Sequence, residues 1–324
     1  MIGRIDLVDK QSNPSAKSPT VSVIMNCLNG EKYLKEAIDS VFAQTYEDWE
    51  IIFWEDLASN DNSGKIAKSY GEKLKYFKAD VSPPLYGARN LALKQAKGKY
   101  ITFLDQDDMW LPNKLKLQVK AFEENKNVGL IHTNCEILEH TGSKRILHRR
   151  IQPSGKVFRE LLKNYRINLQ SVMISRDALN SLDYWFDNSM FISGDADLFL
   201  RIAYKWDILY LPYVTAQYRE HGSSATATRI EALISEHEKV IRNLSERINS
   251  FMEEYKYEIS RYRVRSQLSV IIAKWKYASG KEARRFIVKN LSSSRLFLLL
   301  YIVSFLPLKT VRYLKNRLHL SEVL

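Results

Sequence analysis

From residue 20 to residue 104, short apolar runs alternate with longer segments whose apolar positions have helical spacing. Leu34, Ile38 and Val41 recur every three or four residues and illustrate the helical pattern. The pattern predicts strands at 21–25, 49–54, 75–79 and 100–104, and helices at 31–44, 63–70 and 87–98, the last stopped by Gly98. Strands that alternate with helices over tight connections form a parallel sheet with helices on both faces.

Beyond residue 108 the alternation is less regular. A helix is predicted to begin at Pro112, strands to occupy 129–138 and 169–175, and a turn to lead into a helix over 191–206. Residues 223–279 contain no Gly or Pro and carry apolar residues at helical spacing, which predicts a long helical segment. The whole pattern indicates an α/β fold with a mostly parallel central sheet and a C-terminal helical extension.

Three of the predicted strands end in polar residues. Residues 26–29 follow the first strand, residues 55–56 end the second, and Asp105, Asp107 and Asp108 follow the fourth. Because ligands of parallel sheets bind at the carboxyl ends of the strands, we expect these side chains to meet at one edge of the sheet.

The three carboxylates after residue 104 need either water or a cation to screen their mutual repulsion. Mg²⁺ and Mn²⁺ prefer oxygen ligands, and Asp105 and Asp107 are spaced so that both can reach one ion or one bound ligand. The alternative interpretation is a strand end followed by an acidic residue that caps the helix near Pro112.

Two long segments carry a family resemblance. VSVIMNCLNGEKYLKEAIDSVFAQTYEDWEII, at 21–52, and GARNLALKQAKGKYITFLDQDDMWLPNKL, at 87–115, closely resemble the family 2 glycosyltransferases. The resemblance is dense over 20–120 and thinner over 170–224, and it does not extend further. It implies a Rossmann-like, nucleotide-sugar-binding fold of type A and a metal-dependent, inverting sugar transfer.

The resemblance also implies roles for residues near the first and fourth strands. Asp105-Gln106-Asp107 resembles the family's DxD motif. Asp107 would bind the Mg²⁺ or Mn²⁺ that bridges the donor diphosphate, and Asp105 would hold the ribose or assist the metal. Cys27 and Asn29 match the loop that contacts the nucleotide base.

Two further donor-binding positions follow from the same resemblance. Asp56 matches the acidic residue that recognises the base, but the segment EDLASND departs from the usual Asp-Asp-Gly-Ser, so either Glu55 or Asp56 can fill the role. Arg89, in the segment GARN, resembles an arginine close to the donor, and guanidinium groups suit a diphosphate. The alternative for Arg89 is a surface charge on a helix.

The acceptor side is implied by two later segments. GDADLFLR resembles the family's Glu-Asp-x-Asp-Leu, with Gly194 in place of Glu, so that Asp195 matches the general base and Asp197 is structural or a backup. YREHGSS resembles the loop that closes over the diphosphate, with His221 contacting phosphate or metal. The alternatives are helix-capping aspartates and an incidental histidine.

The composition of the chain indicates its compartment, and much of its positive charge lies at the C-terminus. The chain has 324 residues, 45% of them hydrophobic, and only two cysteines with no CxxC, which predicts a folded protein of a reducing, cytoplasmic compartment. The net charge is +12, and residues 281–324 hold nine Lys or Arg against two Glu.

An apolar run over 296–306 is too short to cross a bilayer and is flanked by cations. It predicts either an in-plane anchor on the anionic inner face of the plasma membrane or a helix packed into the core.

We therefore predict a polar leader at 1–19, a catalytic domain at 20–224 and a helical region with a basic, membrane-associating tail at 225–324. The predicted reaction moves one sugar from a UDP- or GDP-linked donor to a glycan or lipid-linked acceptor, in cell-surface polysaccharide synthesis. No QxxRW motif marks a processive polymerase. The alternatives are a sugar nucleotidyltransferase, although MNCLNGEKYL lacks a glycine-rich loop, or a non-catalytic basic adaptor. An acidic sheet edge argues against a nucleic-acid partner.

Overall fold

The structure is a computed structural model that describes residues 18–139, 142–222, 224, 228–291 and 295–305. Most of the predicted leader, residues 1–17, lies outside the described residues. So does the part of the predicted basic tail after residue 305.

The strands form one sheet of nine. They are β1 (Val21–Cys27), β2 (Trp49–Glu55), β3 (Leu74–Lys78), β4 (Tyr100–Phe103), β5 (Met109–Trp110), β6 (Val128–Leu138), β7 (Lys144–Ile146), β8 (Val172–Ser175) and β9 (Asp207–Arg219). Their order is β3-β2-β1-β4-β8-β6-β9-β5, and β7 pairs with β6 at the side.

Helices cover both faces of this sheet. Those of the first 205 residues are α1 (Glu31–Phe42), α2 (Ser63–Lys68), α3 (Leu85–Gln95), α4 (Lys114–Glu124), α5 (Phe158–Lys163), α6 (Arg176–Asn180) and α7 (Gly194–Lys205). Those of the C-terminal region are α8 (Ala232–Ser245), α9 (Phe251–Glu254), α10 (Lys256–Ala273), α11 (Gly280–Lys289) and α12 (Arg295–Val303). A 3-10 turn at Leu169–Ser171 precedes β8, and a π-helical turn at Lys274–Ala278 follows α10.

The strand order places a topological switch point between β1 and β4. The chain runs outward from β1 to β2 and β3 and then returns to add β4 on the other side of β1, and all these pairs are parallel. The α/β connections on the two sides of a switch point leave a crevice at the carboxyl ends of its strands. The residues after β1 and β4 therefore line that crevice, as the sequence predicts.

The predicted strands and helices of the N-terminal half are present within a few residues of their predicted bounds. Helix α3 ends at Gln95 and not at Gly98. Gly98 instead allows a close approach to β1, because a Cβ at this position would lie 2.4 Å from the Ser22 backbone nitrogen. The predicted helical segment over 223–279 is divided into several helices, of which α10 is the longest described.

Strand β9 has no counterpart in the sequence-based prediction. It is 13 residues long and runs parallel to β6 with two shifts of register near Thr133 and Asn134. Its last residues pair with β5 directly after the acidic turn. Strand β9 thus carries Arg219, and the chain that follows it, to the edge of the sheet where the carboxylates lie.

Two large clusters of buried apolar residues fill the two faces of the sheet. One contains α1 and α4, and the other contains α3, α5 and α7 together with the first C-terminal helices. Phe251, Ile259 and Tyr262 belong to this second cluster, so the first C-terminal helices pack on the sheet domain. Within the described part of the chain, none of the helices combines the length and the apolar character needed to cross a bilayer.

Candidate active site

The loop after β1 and the turn after β4 are tied together at the switch point. The side-chain amide of Gln106 accepts a hydrogen bond from the Leu28 backbone N–H at 2.8 Å and donates one to the Leu28 carbonyl at 3.1 Å. Gly30 leaves room for this contact, because a Cβ there would lie 2.7 Å from the Gln106 Oε1 atom. The middle residue of the predicted DxD motif therefore anchors the motif to the predicted base-contacting loop.

Cys27 and Asn29 differ in what their side chains contact. The Cys27 thiol is buried in the core, and burial raises its pKa to about 12, so it is a neutral thiol. Asn29 has a positive φ of 52°, and its side-chain oxygen accepts from the Asn60 backbone N–H at 2.9 Å. The loop after β1 is thus joined to the loop after β2, and the Cys27 side chain itself faces the core.

Glu55 and Asp56, the two acidic residues at the end of β2, have different surroundings in the structure. Glu55 is buried, accepts a hydrogen bond from Tyr76, and lies 3.2 Å from the Lys78 ammonium group. Asp56 accepts bonds through one oxygen, Oδ1, from the Ala58 backbone N–H at 2.9 Å and from the Ser82 hydroxyl at 2.6 Å. Glu55 is therefore a buried carboxylate paired with an exposed lysine, whereas Asp56 orders the loop at the sheet edge.

Asp105 is held by two side chains from different elements. Arg89 in α3 donates to Asp105 Oδ1 at 2.5 Å, and Gln170 donates to Oδ2 at 2.9 Å. The Arg89 side chain is buried, 4% exposed, so its charge is neutralised by Asp105 at short range and is screened little by water. Both oxygens of Asp105 accept bonds from the protein, and a direct bond from Asp105 to a metal stays a prediction.

Asp107 faces the chain that follows β9. The His221 Nε2 atom lies 2.8 Å from Asp107 Oδ2, and Arg219 donates to the Asp107 backbone carbonyl at 3.1 Å. Burial raises the pKa of Asp107, and the nearby charge of Asp105 raises it further. A positively charged ligand beside Asp107 would relieve both effects.

Asp108 lies deeper than its two acidic neighbours. It is 1% exposed and accepts the Arg219 backbone N–H at 2.8 Å through Oδ1, while its buried Oδ2 has no hydrogen-bond partner among the described residues. Burial raises its pKa well above the usual range, with the charges of Asp107 and Asp105 as further causes. Asp108 therefore fixes the turn after β4 to β9.

Asp195 lies in the first turn of α7 and faces two tyrosines. The Tyr86 hydroxyl is 3.1 Å from Asp195 Oδ1, and the Tyr165 hydroxyl is 3.4 Å from Oδ2. Burial raises the pKa of the Asp195 carboxyl to about 6, although the charge of Arg89 acts in the opposite direction. A carboxyl group with this pKa can accept a proton near neutral pH, which is the property that a general base requires.

Asp197 and Gly194 have structural explanations. Asp197 is fully buried and paired with Arg201 at 2.8 Å, and it accepts hydrogen bonds from Tyr184 and Asn243. A Cβ at position 194 would lie 2.6 Å from the ring of Tyr86. The ring therefore occupies the space that a larger side chain at 194 would need.

The donor set near Asp107 suits a divalent cation that is shared with a substrate. Among the residues that the structure describes, no group of three or more His, Cys, Asp or Glu is arranged to hold a metal ion. Mg²⁺ usually binds one or two carboxylates together with substrate phosphates and water. Asp107 and His221 offer a carboxylate and an imidazole within 2.8 Å of each other, so the residues present fit a cation completed by a diphosphate.

Sequence reasoning missed the residues that connect the predicted ones. Tyr86, Tyr165, Gln106, Gln170 and Arg219 each contact a predicted site residue. Helical spacing was a usable signal for Tyr86, which precedes Arg89 by one turn of α3. The contact between Gln170 and Asp105 depends on the pairing of β4 with β8, for which the local pattern gave no signal.

Comparisons with known proteins agree with this architecture. The crystal structure of S. aureus TarS 1-349 in complex with UDP-GlcNAc aligns with a TM-score of 0.62 at 16% identity, over 83% of each chain. The mannosyltransferase PcManGT from Pyrobaculum calidifontis, in complex with GDP-Man and Mn²⁺, aligns with a TM-score of 0.57 at 17% identity, over 89% of this chain and 84% of that one. At such identities the likeness shows the fold alone, and it confirms the predicted α/β fold of type A.

Sequence comparison identifies the family of the chain as well as its fold. The chain is 30% identical over 215 residues to UDP-Glc:alpha-D-GlcNAc-diphosphoundecaprenol beta-1,3-glucosyltransferase WfgD of Escherichia coli, which covers 66% of this chain and 82% of WfgD. The family model for glycosyl transferase family 2 matches residues 22–186, about half of the chain. This chain therefore belongs to glycosyl transferase family 2, and it is a glycosyltransferase.

Proposed function

We propose that the protein transfers one sugar, with inversion, from a nucleotide-sugar donor to a hydroxyl group of a glycan or lipid-linked saccharide. One observation carries the proposal: helix α3 joins the two acidic centres, because Arg89 binds Asp105 at 2.5 Å and Tyr86 contacts Asp195 at 3.1 Å. The turn after β4 and the start of α7 are therefore linked through α3, and we place the donor at the first and the acceptor hydroxyl at the second.

In the proposed reaction the bond between the anomeric carbon and the diphosphate oxygen breaks as the acceptor oxygen attacks from the opposite face. Asp195 takes the proton of the acceptor hydroxyl, so the new glycosidic bond forms without a charged oxygen. Tyr86 and Tyr165 orient the carboxylate through their hydroxyl groups. The electron pair of the broken bond leaves with the nucleoside diphosphate.

The leaving diphosphate would lie at the turn after β4. Asp107 and His221 would hold a Mg²⁺ or Mn²⁺ ion there, and that ion would supply positive charge to the diphosphate as its charge grows. Gln170 binds Asp105, and Asp105 in turn keeps the buried Arg89 in place next to this turn. We assign recognition of the base to Asp56 rather than Glu55, because Glu55 already pairs with Lys78.

The nature of donor and acceptor is supported by the relatives. TarS was crystallised with UDP-GlcNAc and PcManGT with GDP-Man and Mn²⁺, which supports a UDP- or GDP-linked donor here. The acceptor in the printed name of WfgD is a sugar diphosphoundecaprenol, which supports a lipid-linked acceptor. The specific sugar and linkage depend on the shape of the pocket around residues 130–190.

A hydrolysis assay tests the proposed reaction. The full chain is incubated with a panel of UDP- and GDP-sugars, with and without 5 mM Mn²⁺ (roughly the millimolar range in which weak sites fill). We expect slow release of UDP or GDP from one donor only when metal is present. Release of pyrophosphate in a parallel incubation with UTP or GTP and a sugar 1-phosphate would indicate a nucleotidyltransferase, and no turnover of any nucleotide-sugar donor would contradict the proposal.

The C-terminal helices support an association with an anionic membrane. In α12, Phe297 and Leu300 are buried against α11, whereas Leu298 and Ile302 are 60% and 63% exposed, as is Phe305 at 63%. Leu298 and Ile302 share one face of α12, and Phe305 lies two residues beyond its end. One face of α12 thus packs in a small cluster with α10 and α11, and the other face is apolar and exposed.

One cation lies beside these apolar residues, because the Arg284 guanidinium is 4.6 Å from the centroid of the Phe305 ring. Lys281, Arg285 and Lys289 recur at intervals of four residues along α11, on the side of that helix opposite its buried Ala283 and Ile287. Each cation near an anionic surface contributes on the order of 1 kcal/mol of binding free energy. Exposed apolar side chains on α12 and cations on α11 are the two components of an in-plane contact with lipid headgroups, so we propose that these helices hold the enzyme at its membrane-bound acceptor.

Sedimentation with lipid vesicles tests this contact. We expect the protein to bind vesicles that contain phosphatidylglycerol, and less so at high salt because screening weakens the cations. The triple change of Leu298, Ile302 and Phe305 to serine should lower binding about tenfold or more. Ile151→Ser, at a site 79% exposed elsewhere, is the matched control. Equal binding by the triple variant and the control would contradict the proposed contact.

A further inference from the structure

The turn that precedes α7 directs three consecutive backbone N–H groups at one carboxylate. The Phe191 N–H donates to Glu236 Oε1 at 2.8 Å, and the N–H groups of Ile192 and Ser193 donate to Oε2 at 2.9 and 2.8 Å. Glu236 belongs to α8 and is 7% exposed. The Ser193 hydroxyl makes no capping bond to α7, so the partner of this turn is a carboxylate from another helix.

The same turn is held from its other side by Tyr86. The Tyr86 hydroxyl lies 2.9 Å from the Ile192 carbonyl and 3.1 Å from Asp195 Oδ1. Only Gly194 separates the last amide bound by Glu236 from the residue proposed as the base. A shift of this backbone would therefore move the Asp195 carboxylate relative to the two tyrosines and to the acceptor.

Residues on one face of α8, together with Arg247 just after it, contact residues 183–197. Lys239 lies 3.1 Å from Asp187, Asn243 donates to Asp197 at 3.0 Å, and Arg247 donates to Asp183 at 2.9 Å. Together with Glu236, these residues recur at the spacing of a helix face. These polar contacts fix the position of α8 along residues 183–197.

We infer that Glu236 is a positioning residue that fixes the turn before α7 and thereby aims Asp195 at the acceptor hydroxyl. The inference rests on the proposed role of Asp195 as general base. It makes the C-terminal helical region part of the active site, although the family model ends at residue 186. Both oxygens of Glu236 accept bonds from the backbone N–H groups of residues 191–193, so its effect passes through that backbone.

Substitution by glutamine isolates this role. Both oxygens of Glu236 accept bonds, and an amide keeps only one acceptor oxygen while its NH₂ group faces an N–H group. In Glu236→Gln we expect kcat to fall by about 10- to 100-fold, because small displacements of a catalytic group have effects of this size. The KM for the donor should stay within about twofold, since the metal and diphosphate contacts lie on other elements.

Two further variants complete the experiment. Glu236→Asp keeps the charge with a shorter reach, and we expect a kcat between those of the wild type and Glu236→Gln. Glu238→Gln is the matched control, because Glu238 lies in the same helix, pairs with Arg263 at 2.7 Å and is 41% exposed. It should leave kcat unchanged.

The outcomes separate this inference from the proposed function. An active Asp195→Asn would refute the base assignment itself. An inactive Asp195→Asn beside a Glu236→Gln with normal kcat would overturn the positioning role alone. A rise in donor KM equal to the fall in kcat would also overturn it, because that indicates general loss of structure. If Glu236→Gln does not fold, a normal kcat in Glu236→Asp overturns the inference.

Discussion

Changing Asp195 to asparagine is expected to reduce kcat for sugar transfer by about a thousandfold, within the range that loss of a general base produces. The amide has almost the same shape as the carboxylate and can still accept from the Tyr86 hydroxyl, which lies 3.1 Å from Asp195 Oδ1. It cannot take the proton of the acceptor. Steady-state kinetics with a saturating donor measures the effect.

The variant should fold normally. Burial raises the pKa of Asp195 to about 6, above the value of about 3.9 for an unfolded aspartate, so the ionised form is disfavoured in the native state. The contribution of this residue to the free energy of unfolding is therefore lost as pH rises from about 4 to 6. At pH 7.5 or so the asparagine variant avoids that loss, and its melting temperature should equal or exceed that of the wild type.

Asp177→Asn is a suitable control for this variant, because Asp177 is an exposed aspartate in the first turn of another helix. It should keep full activity. If Asp195→Asn retained more than about a tenth of the wild-type kcat, outside the range for a lost base, Asp195 would not be the base.

The same pKa predicts the pH dependence of the wild-type enzyme. The base must be ionised to accept a proton, so kcat/KM for the acceptor should fall as pH drops through about 6 and be lower by about tenfold at pH 5. The groups that face Asp195 are Tyr86 and Arg89 from α3, Tyr165, and Tyr262 from α10. A profile that stays flat from pH 7 to pH 5 would contradict the assignment.

The first half of the fold could be predicted because its information is local. Apolar runs and helical spacing identify β1 to β4 and their helices, and the parallel order then fixes which strand ends meet. Asp105 and Asp107 were placed correctly at the sheet edge for this reason. Strand β9 was missed because its exposed residues interrupt the apolar pattern, and its pairing with β6 is a contact between distant parts of the chain.

The connections within the site could not be predicted, because they are long-range side-chain contacts. Tyr86 and Asp195 lie 109 positions apart, and Ser193 and Glu236 lie 43 apart. A motif identifies a residue type at a position but not the partners that a tertiary fold brings to it. The ambiguity between Glu55 and Asp56 is of the same kind, since only the pairing of β2 with β3 places Lys78 beside Glu55.

Changing Asp107 to alanine is expected to abolish the metal-dependent binding of the donor. A ligand at a hundred times its Kd stabilises the native state by about 2.7 kcal/mol, which raises the melting temperature by several degrees. The wild type should show this rise with the correct UDP- or GDP-sugar only when Mn²⁺ or Mg²⁺ is present. The variant removes the carboxylate whose Oδ2 lies 2.8 Å from the His221 Nε2 atom, so the cation loses its proposed carboxylate ligand.

Two comparisons make the Asp107 experiment specific. Asp80→Ala removes an exposed carboxylate just beyond β3 and should leave the thermal shift unchanged. His221→Ala should reduce the shift without removing it, because the Asp107 carboxylate remains to bind a cation. A full metal-dependent shift in Asp107→Ala would place the diphosphate elsewhere in the cleft, and the pairing of Arg89 with Asp105 would then be the remaining candidate for its binding site.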